Sequence, residues 1–160
     1  SFKTFEDLEA YKLAREFRKD MYGVTRRLPD FERFELASQI RRAAVSATNS
    51  ISEGHGRFHY LEQIKFTPNA RGSLEELIDD LNVCEDVHNL PATEVAALKR
   101  QAWQVHRVMA GYLRYLRERK LGESLALREY SLAYGRSESD LDELLAETAE
   151  SLQPFNSSTL

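Results

Sequence analysis

The chain has 160 residues, of which 42% are hydrophobic and 30% are charged, and its formal net charge is −4. This length suits one domain with its own core, and no apolar run approaches the roughly 20 residues that cross a bilayer, so a membrane protein is not expected. The first residues lack the apolar stretch of a secretory signal and the sequence has one cysteine, so we expect a cytoplasmic protein without a disulfide framework.

Charge is divided unevenly along the chain. Residues 1–119 carry 19 Lys and Arg against 18 Asp and Glu, whereas residues 120–160 carry 3 against 8. We therefore predict a nearly neutral domain over residues 1–119 and an acidic C-terminal extension over residues 120–160. Ser137 and Asp140 resemble a helix cap, which predicts a short fifth helix in this extension.

Apolar residues recur every three or four positions in the first half of the chain, which predicts two amphipathic helices. The first is expected from about Phe5 to Arg27, with Thr4 as its cap and Pro29 as its stop, and the second from about Glu32 to Glu53. The predicted core positions are Ala10, Ala14, Phe17, Met21, Val24 and Leu28 in the first helix, and Leu36, Ile40, Ala43, Ala47 and Ile51 in the second.

The same periodicity predicts two further helices. The third is expected from about Tyr60 to His88, with a kink or a break at Pro68 because proline removes a backbone donor, and the fourth from about Thr93 to Arg119. The predicted core positions are Leu74, Leu77, Leu81 and Cys84 in the third helix, and Val95, Leu98, Ala102, Val105, Met109, Tyr112 and Leu116 in the fourth. No stretch shows the alternation of a strand, so we predict an all-α, antiparallel up-and-down four-helix bundle.

The stretch SEGHGR, residues 52–57, is the main candidate for chemistry. It lacks the third glycine, the preceding strand and the following helix start of a dinucleotide-binding loop, so we interpret it as a helix end with Gly54 in the left-handed conformation. A metal site at His55, His59 and Glu62 is the alternative, but the favoured interpretation of these residues is an exposed loop. We predict no catalytic residue, metal or cofactor, and an enzymatic hypothesis rests only on these three side chains.

Arginines stand in otherwise apolar contexts and also cluster in the fourth helix. Such positions suggest partial burial, for which structural ion pairs with Glu53, Glu75 and Glu76 are favoured over contacts with nucleic acid. The candidate nucleic-acid-binding residues are Arg41, Arg42, Arg57, Arg71, Arg107, Arg114 and Arg117.

Apolar and aromatic residues outside the main helical stripes indicate assembly. One core cannot use every side of a helix, and apolar surface left over on a soluble protein usually marks an interface, most often in a closed homo-oligomer. The candidate interface residues are Tyr11, Tyr22, Phe31, Phe34, Trp103 and Leu113.

Four sequence blocks carry a family resemblance. They are FEDLEAYKLARE at 5–16, QIRRAAVS at 39–46, ISEGHGR at 51–57 and ARGSLEEL at 70–77. In order and spacing they resemble the small four-helix bundle proteins found as open reading frames in intervening sequences of 23S ribosomal RNA. That family includes the accessory protein of diversity-generating retroelements, a basic pentameric barrel that binds a reverse transcriptase and nucleic acid. The resemblance implies a ring-like homo-oligomer, specifically a pentamer, without catalytic machinery.

Two functions follow as hypotheses. The first is a non-enzymatic homo-oligomeric scaffold that binds RNA, DNA or a nucleic-acid enzyme. The second is a protein–protein interaction module with no nucleic-acid role, which docks an unidentified protein partner and whose acidic extension covers or competes for the basic surface. The sequence pI of about 5.6 favours the second over bulk nucleic-acid binding.

Overall fold

The computed structural model describes residues 4–56 and 60–133, with side chains for residues 4–56 and 68–119. Within these residues it contains no strand, and its four α-helices are α1 (Glu9–Arg27), α2 (Leu36–His55), α3 (Tyr60–Asp86) and α4 (Ala92–Ala133). The predicted all-α four-helix bundle is confirmed. The chain divides into two units, Ser1–Leu113 and Arg114–Leu160, and the helix contacts given below lie within the first. The predicted fifth helix lies outside the described residues.

The first helix begins later than predicted because Thr4 caps a separate 3-10 turn, Phe5–Asp7. Thr4 Oγ1 accepts a hydrogen bond from the Glu6 amide at 3.3 Å, and Asp7 Oδ2 accepts one from the Thr4 amide at 3.0 Å. Leu8 is then extended, with φ −66° and ψ 130°, so the regular helix begins at Glu9. At the other end Leu28 is extended before Pro29, as the steric restriction on residues that precede proline requires.

The prediction that Gly54 adopts a left-handed conformation at the end of α2 is wrong. The helix continues through His55, and Gly54 is a buried helical residue that extends the stripe of Ala47 and Ile51. Gly56 ends the helix in a right-handed conformation, with φ −71° and ψ −9°, and its amide donates to the Ser52 carbonyl at 3.1 Å. An ordinary hydrogen bond therefore closes the last turn, and no left-handed residue is needed there.

Helix α3 runs through Pro68 without the break that the sequence suggested. It ends at Asp86, and His88 adopts the left-handed conformation, with φ 59°. The Asn89 amide donates to the Cys84 carbonyl at 2.8 Å, and the His88 amide donates to the Glu85 carbonyl at 3.0 Å. These two bonds form a Schellman motif, in which a non-glycine residue takes the left-handed position usually given to glycine.

The predicted core is confirmed in all four helices. Every predicted core position is buried except Tyr112, which is half-buried against the core. The buried face of α2 consists largely of small side chains, since four of its buried residues are alanine: Ala37, Ala43, Ala44 and Ala47. Small side chains let neighbouring helices approach closely, so α2 can pack tightly against both α1 and α3.

Polar contacts show how the helices pair. Arg27 at the end of α1 forms a bidentate ion pair with Glu94 at the start of α4, which places the C-terminal end of α1 beside the N-terminal end of α4. This pairing raises the pKa of Arg27 and lowers that of Glu94 through their shared hydrogen bonds. Ser73 of α3 donates to Ser46 of α2 at 2.9 Å, midway along both helices.

None of the helices in the described residues combines the length and the apolar character that a membrane crossing requires.

Candidate nucleic-acid interface

A concave surface lies between α1, α2 and the turn that joins them. It consists of three adjoining hollows of about 500, 480 and 420 Å³, and Tyr22 lines all three. Six cationic and two acidic side chains line this surface, which we call the α1–α2 groove. The cationic residues are Arg18, Lys19, Arg26, Arg33, Arg41 and Arg42, and the acidic residues are Asp30 and Glu53.

Helical spacing brings these side chains together. Arg18, Tyr22 and Arg26 are four residues apart on α1 and therefore share one face of that helix. Arg41 and Val45 stand four apart on the adjacent face of α2. Because α1 and α2 pack side by side, the two faces meet and place cations on both sides of the Tyr22 ring.

Four of the cationic side chains are held by local hydrogen bonds. Arg41 Nη2 donates to the Arg33 carbonyl at 3.1 Å, and Arg42 Nη1 donates to Ser38 Oγ at 3.2 Å. Arg18 Nη1 donates to the buried Thr48 Oγ1 at 2.7 Å, across the α1–α2 contact. Lys19 Nζ lies 2.7 Å from Glu16 Oε1, and this hydrogen bond lowers the pKa of Glu16. Each such bond leaves other guanidinium or ammonium hydrogens available to an anion.

The carboxylate partners predicted for the arginines are found only in part. Arg41 and Arg42 bond a carbonyl and a hydroxyl, while Glu53 lies with them along the groove. On α3, Arg71 Nε lies 3.2 Å from His106 Nε2, which in turn lies 3.3 Å from Glu75 Oε1. Arg71 and Glu75 of α3 thus both contact His106 of α4, a residue that the sequence had not connected to them.

Two of the other nucleic-acid candidates, Arg71 and Arg107, belong to the same unit as the groove but do not line its hollows. Arg71 is half-buried on α3, and Arg107 is exposed on α4. Arg114 is exposed and Arg117 half-buried, and both belong to the second unit. Arg57 lies outside the described residues. Among the predicted residues that the structure describes in the first unit, Arg41 and Arg42 line the groove.

Sequence reasoning missed the groove's contributions from α1 and the following turn. These are Arg18, Lys19, Arg26 and Arg33. The spacing of Arg18, Tyr22 and Arg26 was a visible signal for a basic face with an aromatic residue in it. That α2 would complete this face could not be read from either helix alone.

The interface candidates differ widely in exposure. Phe31 and Phe34 are 75% and 78% exposed in the turn between α1 and α2, and Trp103 is 45% exposed on α4. Tyr22 lies in the groove, and Tyr11 packs edge-on against Phe5 with ring centroids 4.8 Å apart. Leu113 is only 4% exposed, so it has little surface left to offer another subunit.

Metal-binding side chains do not gather in the part of the chain whose side chains are described: no group of three or more His, Cys, Asp or Glu residues is placed to hold an ion there. His55 is half-buried at the end of α2, whereas the side chains of His59 and Glu62 lie outside the described part. The alternative metal site at SEGHGR therefore stays a hypothesis.

Comparison with known proteins places the chain in a family. Residues 6–111 match the model of the 23S rRNA-intervening sequence proteins, and this span covers α1 to α3 and the first half of α4. No curated protein matches the chain significantly. Since the match extends over most of the chain, the protein belongs to the 23S rRNA-intervening sequence protein family.

Proposed function

We propose that the protein is a non-enzymatic, homo-oligomeric helical scaffold of the cytosol that binds RNA or DNA through the α1–α2 groove. The observation that carries this proposal is the grouping of six cationic side chains from two helices and their connecting turn around Tyr22. The family name, which associates these proteins with a ribosomal RNA region, is compatible with it.

The chemistry of the groove suits a phosphate backbone. Guanidinium groups present planar forks of donors that match phosphate oxygens, and five of the six cations are arginine. The protein's net charge of −4 does not oppose this, because a local cationic cleft can attract a polyanion to a molecule that is acidic overall. Asp30 and Glu53 at the margins would repel phosphate and so limit where the backbone can lie.

Removing two groove cations should weaken binding and reduce its dependence on salt. We expect the double variant Arg26→Ala, Arg42→Ala to bind an RNA oligonucleotide about tenfold more weakly at low salt. The slope of log K against log salt should fall by about 2, since each lost phosphate contact releases about one counterion fewer. Fluorescence anisotropy titrations at several salt concentrations measure both quantities.

The control variant removes the same charge from exposed positions outside the groove. Lys12 and Arg15 are exposed on α1 but do not line the groove, so the double variant Lys12→Ala, Arg15→Ala should keep the wild-type slope. Equal losses in both variants would mean that binding follows overall charge and would contradict a site in the groove.

Exposed apolar side chains at one end of the bundle support the oligomeric part of the proposal. Phe31 and Phe34 lie in and just after the 3-10 turn Asp30–Glu32, and both are exposed. Val83, in the last turn of α3, and Val87, directly after that helix, are exposed as well. Exposed apolar surface of this kind commonly marks an interface.

We expect the wild type to assemble and the double variant Phe31→Ser, Phe34→Ser to dissociate. A pentamer, the number proposed here, has five times the subunit mass of 18.4 kDa, and native mass spectrometry or light scattering distinguishes it from the monomer. Tyr11→Ser is the matched control, since Tyr11 is half-buried and packs against Phe5 of its own subunit. A monomeric wild type at working concentration would contradict the oligomeric part of the proposal.

A protein–protein interaction module is the second candidate function. The exposure of Phe31 and Phe34 favours it, because aromatic side chains are enriched in protein interfaces. Wild-type protein that binds no nucleic acid even at low salt would favour this candidate over the first.

A further inference from the structure

The exposed face of α4 carries a further hollow, which does not belong to the α1–α2 groove. Its volume is about 670 Å³, and it is centred on Trp103, the one tryptophan of the sequence. The other lining residues are Ala97, Arg100, Gln101, Gln104 and Arg107. All of them precede residue 114 and so belong to the same unit as the groove.

The indole ring is supported from one side. The His106 ring meets Trp103 edge-on, with centroids 5.2 Å apart and an interplanar angle of 66°. His106 itself is tied to α3 in either tautomer, because its Nε2 accepts from Arg71 Nε at 3.2 Å when unprotonated and donates to Glu75 Oε1 at 3.3 Å when protonated. Through His106 these contacts hold the indole ring of Trp103 in place, while 45% of Trp103 stays exposed. A flat partner could therefore stack on the indole without a large entropic cost of ordering the side chain.

The charged residues that line the hollow are both cationic. Arg100 and Arg107 are exposed and stand three residues before and four residues after Trp103, and no carboxylate lines the hollow among the described residues. Their Cα atoms are about 10 Å apart along the helix, given a rise of 1.5 Å per residue. Two cations thus bracket an aromatic platform, with the amides of Gln101 and Gln104 between them.

We propose that this hollow binds an unpaired nucleobase of single-stranded RNA or DNA. The base stacks on Trp103, and Arg100 and Arg107 contact the phosphates on either side of it. Stacking on an aromatic ring requires a base with a free face, which single strands offer and the interior of a duplex does not. The inference deepens the proposed function and rests on it, since it names single-stranded nucleic acid as the ligand class.

The lone tryptophan makes the test direct. Fluorescence excited at wavelengths that tyrosine does not absorb reports on Trp103 alone, so we expect quenching when a single-stranded RNA or DNA oligonucleotide is added, and little quenching with a duplex of the same sequence. We expect Trp103→Leu to bind a single strand about 5- to 100-fold more weakly, because the variant loses the stacking of one base. Fluorescence anisotropy measures this affinity. Trp103→Phe should recover part of this loss, and duplex affinity should stay unchanged.

The controls separate this inference from the proposed function. Tyr115→Leu alters an exposed aromatic residue elsewhere on α4 that does not line the hollow, and it should leave single-strand affinity unchanged. Arg100→Gln, Arg107→Gln should weaken single-strand affinity without disturbing the core. Nucleic-acid binding that proceeds without quenching and is unaffected by Trp103→Leu would overturn the stacking site and leave the groove standing. Failure of the wild type to bind any nucleic acid at low salt would overturn both. Comparison of RNA with DNA shows whether the site prefers one sugar.

Discussion

Replacing Leu77 with alanine is expected to lower the free energy of unfolding by about 2–5 kcal/mol. Leu77 lies on α3 and is fully buried among side chains of the core. The substitution removes apolar surface from the core and leaves a cavity that the surrounding helices fill only in part, so both the transfer and the cavity contributions destabilise the fold. Urea unfolding followed by circular dichroism gives the value.

Val83 on the same helix supplies the comparison. It is exposed, so Val83→Ala should change the free energy of unfolding by no more than about 0.5 kcal/mol. If the two variants proved equally stable, the assignment of the Leu77 face of α3 to the core would be wrong.

Replacing Asp80 with asparagine is expected to stabilise the protein by about 2 kcal/mol at neutral pH. Asp80 is 5% exposed, and its Oδ2 has no hydrogen-bond partner in the described part of the structure. Burial, followed by the charges of Glu76 and Asp79, raises the pKa of this carboxyl to about 6. Ionised Asp80 is therefore costly in the folded state, and asparagine keeps its size while removing the charge.

The pH dependence of this effect has a definite sign. The folded protein binds the Asp80 proton more tightly than the unfolded chain, whose aspartate pKa is about 3.9. The contribution of Asp80 to stability is therefore greatest below pH 4 and is lost as the pH rises through about 6. The advantage of Asp80→Asn over the wild type should be small at pH 4 and reach its full size above pH 7.

Asp79→Asn is the matched control, because Asp79 is the exposed neighbour on the same helix. It should raise stability only slightly, by relieving its repulsion of Asp80. Urea titrations at pH 4.5 and 7.5 compare the three proteins. An advantage of Asp80→Asn that stays constant between these pH values would show that Asp80 titrates normally in the fold.

Sequence periodicity predicted the core well because burial follows the helical repeat directly. In α4 the spacing of Val95, Leu98, Ala102 and Val105 identified the buried face residue by residue. Helix ends were predicted less well because they depend on turns that propensity alone does not distinguish. Thr4 was correctly identified as a cap, but the turn that it caps is a 3-10 turn separated from α1 by Leu8.

The candidate site was harder to predict, because it depends on how two helices meet. Arg41 and Arg42 were identified from their apolar surroundings, whereas Arg18 and Arg26 looked like the ordinary polar face of an amphipathic helix. Only the packing of α1 against α2 shows that these four side chains share a groove. The burial of Asp80 without a partner was missed for a similar reason, since it stands beside the exposed Asp79 in a run of acidic residues.

The hydroxyl contacts of α2 have a consequence for how accurately the bundle is assembled. An alanine surface is smooth, so a helix could slide along it by one turn, about 5.4 Å, and lose little contact. Such a slip would break two hydrogen bonds, the one from Arg18 to Thr48 and the one from Ser73 to Ser46. These hydrogen bonds therefore favour one axial alignment of the helices. The arginines of α1 and α2 face each other only in that alignment.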